Sequence, residues 1–320
     1  MQGARDWRNW ALLASLGLIW GSAFTTTGVA VQELPPLTIA GARLLLAAIA
    51  LVPLAYLLGD GLPRDGGVWA SALGAALAAN AIPFALLAWA QHHVSSGLAG
   101  VFMSALPLIV LPLAHLFIPG EQMTWRKTLG FVIGFFGVLV LIGPTVLTEL
   151  GGNVIEILAQ LACLGAATGY AVGSVVTKRA PPCHPVSFGA ATMLLAALIL
   201  CPVTLLVEAP FGLDWTLAAV VTVGWLGLVP TALAMVLLTI VLQRTGPSFL
   251  SLVNYQVPVW ALVFGVAFLS ETIPGRAPLA LALILLGVAT SQGLLNRLLR
   301  RRTDRGLGSG PGADHRPNPS

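Results

Sequence analysis

Between residues 10 and 295 one pattern recurs ten times: a run of roughly twenty residues with almost no charge, then a short cluster of turn formers or charges. The runs fall at 10–31, 38–58, 68–90, 95–118, 126–143, 154–176, 185–207, 216–241, 247–269 and 277–295. Between them stand stretches such as "QELPP", "GDGLPRDGG", "TKRAPPCHP" and "SETIPGR", which end helices. About 20 apolar residues in a helix cross the hydrocarbon core of a bilayer. The composition leaves no other solvent: 57% of the 320 residues are hydrophobic and 9% charged, against about a quarter charged in soluble domains. The fold class expected is an all-α integral membrane protein of ten transmembrane helices.

The basic residues orient the spans. With both termini on the cytoplasmic side, Arg5, Arg8, Arg64, Arg126, Lys127, Lys178, Arg179 and Arg244 fall inside, as do six tail arginines from Arg297 to Arg316. Arg276 alone falls outside, and Arg43 lies within the second span. That distribution follows the positive-inside rule. It also accounts for the net charge of +4 without a nucleic-acid partner. The opening "MQGARDWRNWALLASLGLIWGSAF" has the basic start of a signal peptide, but more apolar spans follow it. It is read as a retained first helix. The tail, rich in Arg, Gly and Pro, is expected to be disordered and cytoplasmic.

The two halves of the chain resemble one another. With residue i placed over i+148, Gly17/Gly165, Gly21/Gly169, Gly41/Gly189 and Ala42/Ala190 coincide. Farther on, Pro107 falls over Pro258, and then Glu121 over Glu271, Arg126 over Arg276 and Gly137-Val138 over Gly287-Val288. Five spans per half is an odd number, so the second half enters the membrane from the opposite side. Repeats of that kind build transporters whose two faces exchange conformations. The domains expected are a cytoplasmic N-terminus (1–9), a first five-helix repeat (10–143), a periplasmic linker (144–153), a second repeat (154–295) and the tail (296–320).

"LIWGSAF" (18–24), "PPLTIAGARLLLAA" (35–48), "GE" (120–121) with "GFFGVLV" (134–140), and "VPVWALVFGVAFLSE" (257–271) with "ALILLGVA" (282–289) resemble the EamA-type transporters of the drug/metabolite transporter superfamily. The resemblance covers residues 10 to 295. It implies spans 1–4 and 6–9 around a central cavity, with spans 5 and 10 at the periphery in positions that support a homodimer. The sequence departs from an even duplication: Arg43 faces Ala191 in the repeat, and Trp20-Gly21 becomes Thr168-Gly169.

Enzyme constellations are absent from the sequence: no HExxH, GxSxG or P-loop is present. Cys163, Cys183 and Cys201 have no metal or disulfide spacing, so no metal and no cofactor are expected. Glu121 and Glu271 end spans 4 and 9. They are read as structural acids, capping the following helix or pairing with Arg126 and Arg276. His115 is read as a helix-end residue. Arg43 has two readings, a side chain snorkelling to the outer boundary or a cavity-facing group that attracts an anion.

Proline and amide-rich stretches lie at mid-depth. Pro83 and Pro230 mark spans 3 and 8, and Pro107 and Pro258 mark spans 4 and 9; all four are expected to break their helices. Paired helix interruptions at the midplane point to a transporter's binding site. Trp20, Asn80, Ser104, Tyr170, Asn254, Tyr255 and Gln256 gather at that depth as candidate cavity residues. Three consecutive positions cover about 200° of a helix, so Asn254, Tyr255 and Gln256 cannot all face inward. Any one of them serves equally as a bond between helices. A polar, uncharged wall interleaved with Trp20, Trp89, Trp225 and Trp260 suits a small amphipathic, zwitterionic or aromatic substrate. The function expected is export of metabolites, amino acids or amphipathic drugs across a bacterial inner membrane. A non-transporting scaffold or an intramembrane enzyme is the competing class.

Overall fold

The computed structural model describes residues 6–143 and 154–293. The expected linker (144–153), the whole expected tail (296–320) and residues 1–5, Arg5 among them, lie outside them. Among the described residues all regular structure is helical. We name the long segments α1 (Trp7–Glu33), α2 (Pro36–Leu58), α3 (Gly66–Ala90), α4 (Ser96–Phe117), α5 (Trp125–Ile142), α6 (Val154–Arg179), α7 (Pro185–Val207), α8 (Leu217–Thr245), α9 (Val253–Leu269) and α10 (Arg276–Ser291). The first eight are long and apolar enough to cross a membrane; α9 and α10 are apolar but shorter. A short helical turn, Pro247–Leu250, leads into α9.

Local chemistry sets the ends. Asp6, Asp65, Ser95 and Thr216 cap α1, α3, α4 and α8, each side chain accepting a bond from a backbone N–H of the first turn. Pro36 and Pro185 open α2 and α7, where a missing N–H costs nothing. Gly143 and Gly246 close α5 and α8 at φ of 80° and 81°.

The packing is two-fold in pattern. α2 lies on α7, and α5 on α10. α1 packs on α9 and α8, while its repeat counterpart α6 packs on α4 and α3. Small residues permit the close pairs. A side chain on Gly130 or Gly287 would run into the other's backbone, so α5 and α10 meet there directly. Leu206, Leu57 and Phe268 are at least 73% exposed on the outer surface.

Four helices are locally irregular. α3 widens to a π-turn at Leu77–Ala81, and α8 does so at Leu228–Leu233. Leu77 and Leu228 open these turns at matched places in the two halves. α4 is broken at Ser104 and Ala105, whose N–H groups bond three residues back, to Val101 and Phe102. Pro107 follows that break at once, because its ring excludes a regular turn before it. In α9 the expected break at Pro258 is corrected: the helix runs unbroken from Val253 to Leu269. The interruption falls earlier, at Ser251 and Leu252. A proline inside a helix need only forfeit one hydrogen bond, and here the helix tolerates that loss.

Candidate functional site

The irregular turns of α3 and α8 border a cavity of about 300 Å³ between the two halves. Its wall draws on α1, α2, α3 and α4 of the first half and α6, α7, α8 and α9 of the second. The size is at the lower end of small-molecule pockets, about 300–1,000 Å³.

The wall is built outward from proline chemistry. Pro230 has no N–H for the carbonyl of Leu226, one turn back, and its ring crowds that oxygen. The turn widens, and the Thr231 hydroxyl donates to Leu226 O at 2.8 Å instead. With its proton spent, Thr231 Oγ1 accepts Nε–H of Arg43 at 2.9 Å. The guanidinium also lies over the ring of Phe84, 3.8 Å from its centre. Arg43 is therefore held by one residue just past the α3 turn and one inside the α8 turn. Asn80 occupies the corresponding place in α3, where its Nδ2 donates to Ala75 O at 3.1 Å. Trp20 Nε1 donates to Pro230 O at 3.2 Å and ties α1 to the α8 turn.

Of the residues expected at the site, Trp20, Arg43, Asn80, Tyr170 and Asn254 line the cavity, as do Pro230 and Pro258. Ser104, Tyr255 and Gln256 do not. Ser104 is buried and donates to Val101 O of its own helix, the usual fate of a hydroxyl at a helix break. Tyr255 packs against the core cluster that joins α4, α5, α6 and α10, its hydroxyl buried without a partner. Gln256 meets α1, where a Cβ on Gly17 would stand 2.8 Å from its Oε1. The helical rotation of 100° per residue separates the three: Asn254 reaches the cavity and the next two bind neighbouring helices. Pro83 follows the α3 turn and packs against Gly169 of α6 rather than the cavity. Of the expected tryptophans only Trp20 lines the wall; Trp89 meets His93 edge to face, Trp260 stacks on Phe264, and Trp225 is 42% exposed.

Sequence reasoning missed Phe84, Gln91 and the role of Thr231. Gln91 ends α3, lines the cavity and is buried, with Oε1 lacking any hydrogen-bond partner. The sequence places it in a loop cluster, which hides it. Thr231 could have been found, since it falls over Asn80 in the repeat. The wall is otherwise mostly apolar, with no aspartate or glutamate. The expected polar, uncharged wall is thus corrected to an apolar one holding a single cation.

The repeat acids lie away from the cavity, and their expected partners are corrected. Glu271 caps α4, not the following helix: Oε1 accepts from Ser96 N at 2.7 Å and Oε2 from Gly97 N at 2.9 Å. Arg276 donates instead to Leu141 O at the end of α5. Glu208 caps α2 in the same way, through Leu37 N and Thr38 N. Glu121 caps nothing of the kind; it bridges Lys178 at 2.9 Å and Lys127 at 3.1 Å. Those lysines, Lys178 first, hold its carboxyl below the ordinary range. His115 Nδ1 lies 3.1 Å from Glu121 O at the helix end, as its sequence position implies. Beside Glu208, burial lowers the His92 imidazole below its usual range, and His93 lowers it further.

The family model for the EamA-like transporter family matches residues 8–143 and again 156–291, the same register in which the glycines of the two halves coincide. The uncharacterized transporter YoaV of Bacillus subtilis is 27% identical over 86% of this chain and 94% of its own. The uncharacterized inner membrane transporter YedA of Escherichia coli K12 is 28% identical over 86% and 88%. A probable terminal-alkyne amino-acid exporter of Streptantibioticus cattleyicolor is 29% identical over 92% and 95%. A solved crystal structure with 20% identity superposes at a TM-score of 0.63, covering 92% of this chain and 99% of that one, which is a likeness of fold.

Proposed function

The chain belongs to the EamA-like transporter family, and on that premise we propose that it carries small amphipathic metabolites across a bacterial inner membrane by alternating access. The observation that carries this reading is the cavity itself: it lies where the halves meet, bordered by π-turns at matched positions of α3 and α8. Irregular helices related by a repeat are how secondary transporters form a site at mid-depth. In this reading α9 and α10 also span, giving ten crossings, an inverted second half and both ends in the cytoplasm. Reporters inserted at Phe211 and after Arg179 should then fall on opposite sides of the membrane; the same side for both would refute the topology.

The asymmetry of the repeat acids supports alternation. Glu271 is docked on the start of α4, while Glu121, its mate, is held by two lysines. Corresponding parts in different states within one structure are what an exchange between two faces requires. The exporter named among the relatives favours outward movement of an amino-acid-like compound. The sequence has no nucleotide-binding motif, so uphill movement would draw on an ion gradient or exchange. Purified protein in liposomes, loaded with a panel of amino acids, organic acids and amphipathic amines, tests the reading. Flux of at least one compound above protein-free vesicles is expected; no flux of any, in either direction, would favour a scaffold.

A further inference from the structure

Among the described residues Arg43 is a cation without an anionic partner. It forms no ion pair, and its hydrogen bond to Thr231 uses Nε alone. Among the described residues the terminal nitrogens have no acceptor, and the cavity they line has no acidic residue. Snorkelling to a lipid headgroup does not describe this side chain. Thr231 of α8 pins its Nε, and Phe84 covers one face, so the group is turned to the interior between the halves. A charge held away from water at membrane depth is costly unless an opposite charge meets it. The protein supplies a rigid mount for that cation and no counter-ion.

We propose that the terminal nitrogens of Arg43 form the anion site of the cavity and that the substrate is an amphipathic monocarboxylate. This rests on the transport reading above. A guanidinium presents two parallel N–H groups that match the two oxygens of a carboxylate, a geometry that lysine cannot reproduce. One cation neutralises one negative charge, and the mostly apolar wall would leave a second uncompensated. Phe24, Met103 and Met193 give the body of the ligand an apolar bed, in which methionine adapts to shape. A positively charged group on the ligand meets only neutral acceptors, chiefly Asn80 and Gln91. The carboxylate is therefore required and an ammonium is not. Thr231 and Phe84 act as positioning residues, orienting the guanidinium without needing to touch the ligand.

The test uses three probes with one apolar body: 3-phenylpropionate, phenylalanine and phenethylamine. Binding is read by ligand-induced thermal shift in detergent, and flux in liposomes. The wild type should bind both carboxylates at lower concentration than the amine. Arg43→Lys should raise the half-saturating carboxylate concentration about ten- to hundredfold, the range expected when hydrogen bonds to a charged group are lost. Arg43→Gln should abolish carboxylate binding and, with the repelling cation gone, tighten that of phenethylamine. Thr231→Val, which keeps the charge, should weaken carboxylate binding with little change in maximal rate. Unchanged carboxylate affinity in Arg43→Gln, or preference of the wild type for the amine, overturns the inference. Equal, Arg43-independent flux of all three would leave the transport reading standing alone. Arg43-dependent binding of carboxylates without any flux would do the reverse.

Discussion

Asn80 and Thr231, which fall over each other in the two halves, do the same work: each side chain donates to the carbonyl five residues before it, Ala75 and Leu226. The π-turns on either side of the cavity thus carry matching side-chain bonds, and at Leu226 that bond replaces the backbone donor that Pro230 lacks. The resemblance stops at the next bond. Thr231 alone also holds Arg43, whose repeat counterpart is Ala191. A symmetric scaffold carries an asymmetric charge.

The pair can be separated by mutation. Thr231→Val keeps the shape but orphans Leu226 O and releases Arg43, while Asn80→Ala removes one bond to Ala75 O and leaves Arg43 in place. Thr231→Val should lower stability by about 1–3 kcal/mol, the cost of a buried unsatisfied polar group, and Asn80→Ala by about 0.5–1.5 kcal/mol, the net worth of one hydrogen bond. Chemical denaturation in detergent measures this, and wild-type stability in both variants would show the bonds to be dispensable.

Glu271 is the acid whose loss should be felt. Glu271→Ala leaves the N–H groups of Ser96 and Gly97 without acceptors at a buried helix start, and about 1–3 kcal/mol is expected. Glu271→Gln keeps one acceptor oxygen and should cost less. An alanine variant as stable as wild type would mean that water replaces the carboxylate there.

Glu121 should show its effect only through pH. Its folded-state carboxyl is depressed by Lys178 and Lys127, so its stabilisation is complete above the ordinary value of 4.5 and fades as pH falls through the lower folded value. The pairs are partly exposed, so the gain is small, about 0.2–1 kcal/mol at most. Glu121→Gln should therefore differ from wild type by a constant amount from pH 8 to about 5 and converge below it. A gap that widens on acidification contradicts the assignment.

Cysteines at 254, 255 and 256, introduced after Cys163, Cys183 and Cys201 are replaced, should report the split of the three neighbours. Position 254 should react with a water-soluble thiol reagent and be protected by a transported compound. Positions 255 and 256 should be inert. Equal labelling at all three would place the whole stretch on the cavity.

Much of this protein is set by its sequence alone. Apolar runs of membrane length, turn clusters between them and the glycine register dictate an all-helical membrane protein built from two similar halves. Those signals are local or strictly periodic, which is why they survive without coordinates. Trp20, Asn80, Tyr170 and Asn254 were legible at mid-depth for the same reason. What lies on a helix's circumference was not. Asn254, Tyr255 and Gln256 share a depth, and only the neighbours that α9 meets decide which of them faces the cavity. Proline announces a lost hydrogen bond but not its consequence: at Pro230 the helix widens, and at Pro258 it carries on. The fate of a charge is less local still. Arg43 is an outer-half residue with two plausible destinations until Thr231, 188 positions away in the chain, accepts its Nε and Phe84 slides beneath it. Sequence sets depth and period; only the packing of one half against the other turns a side chain toward solvent, lipid or ligand.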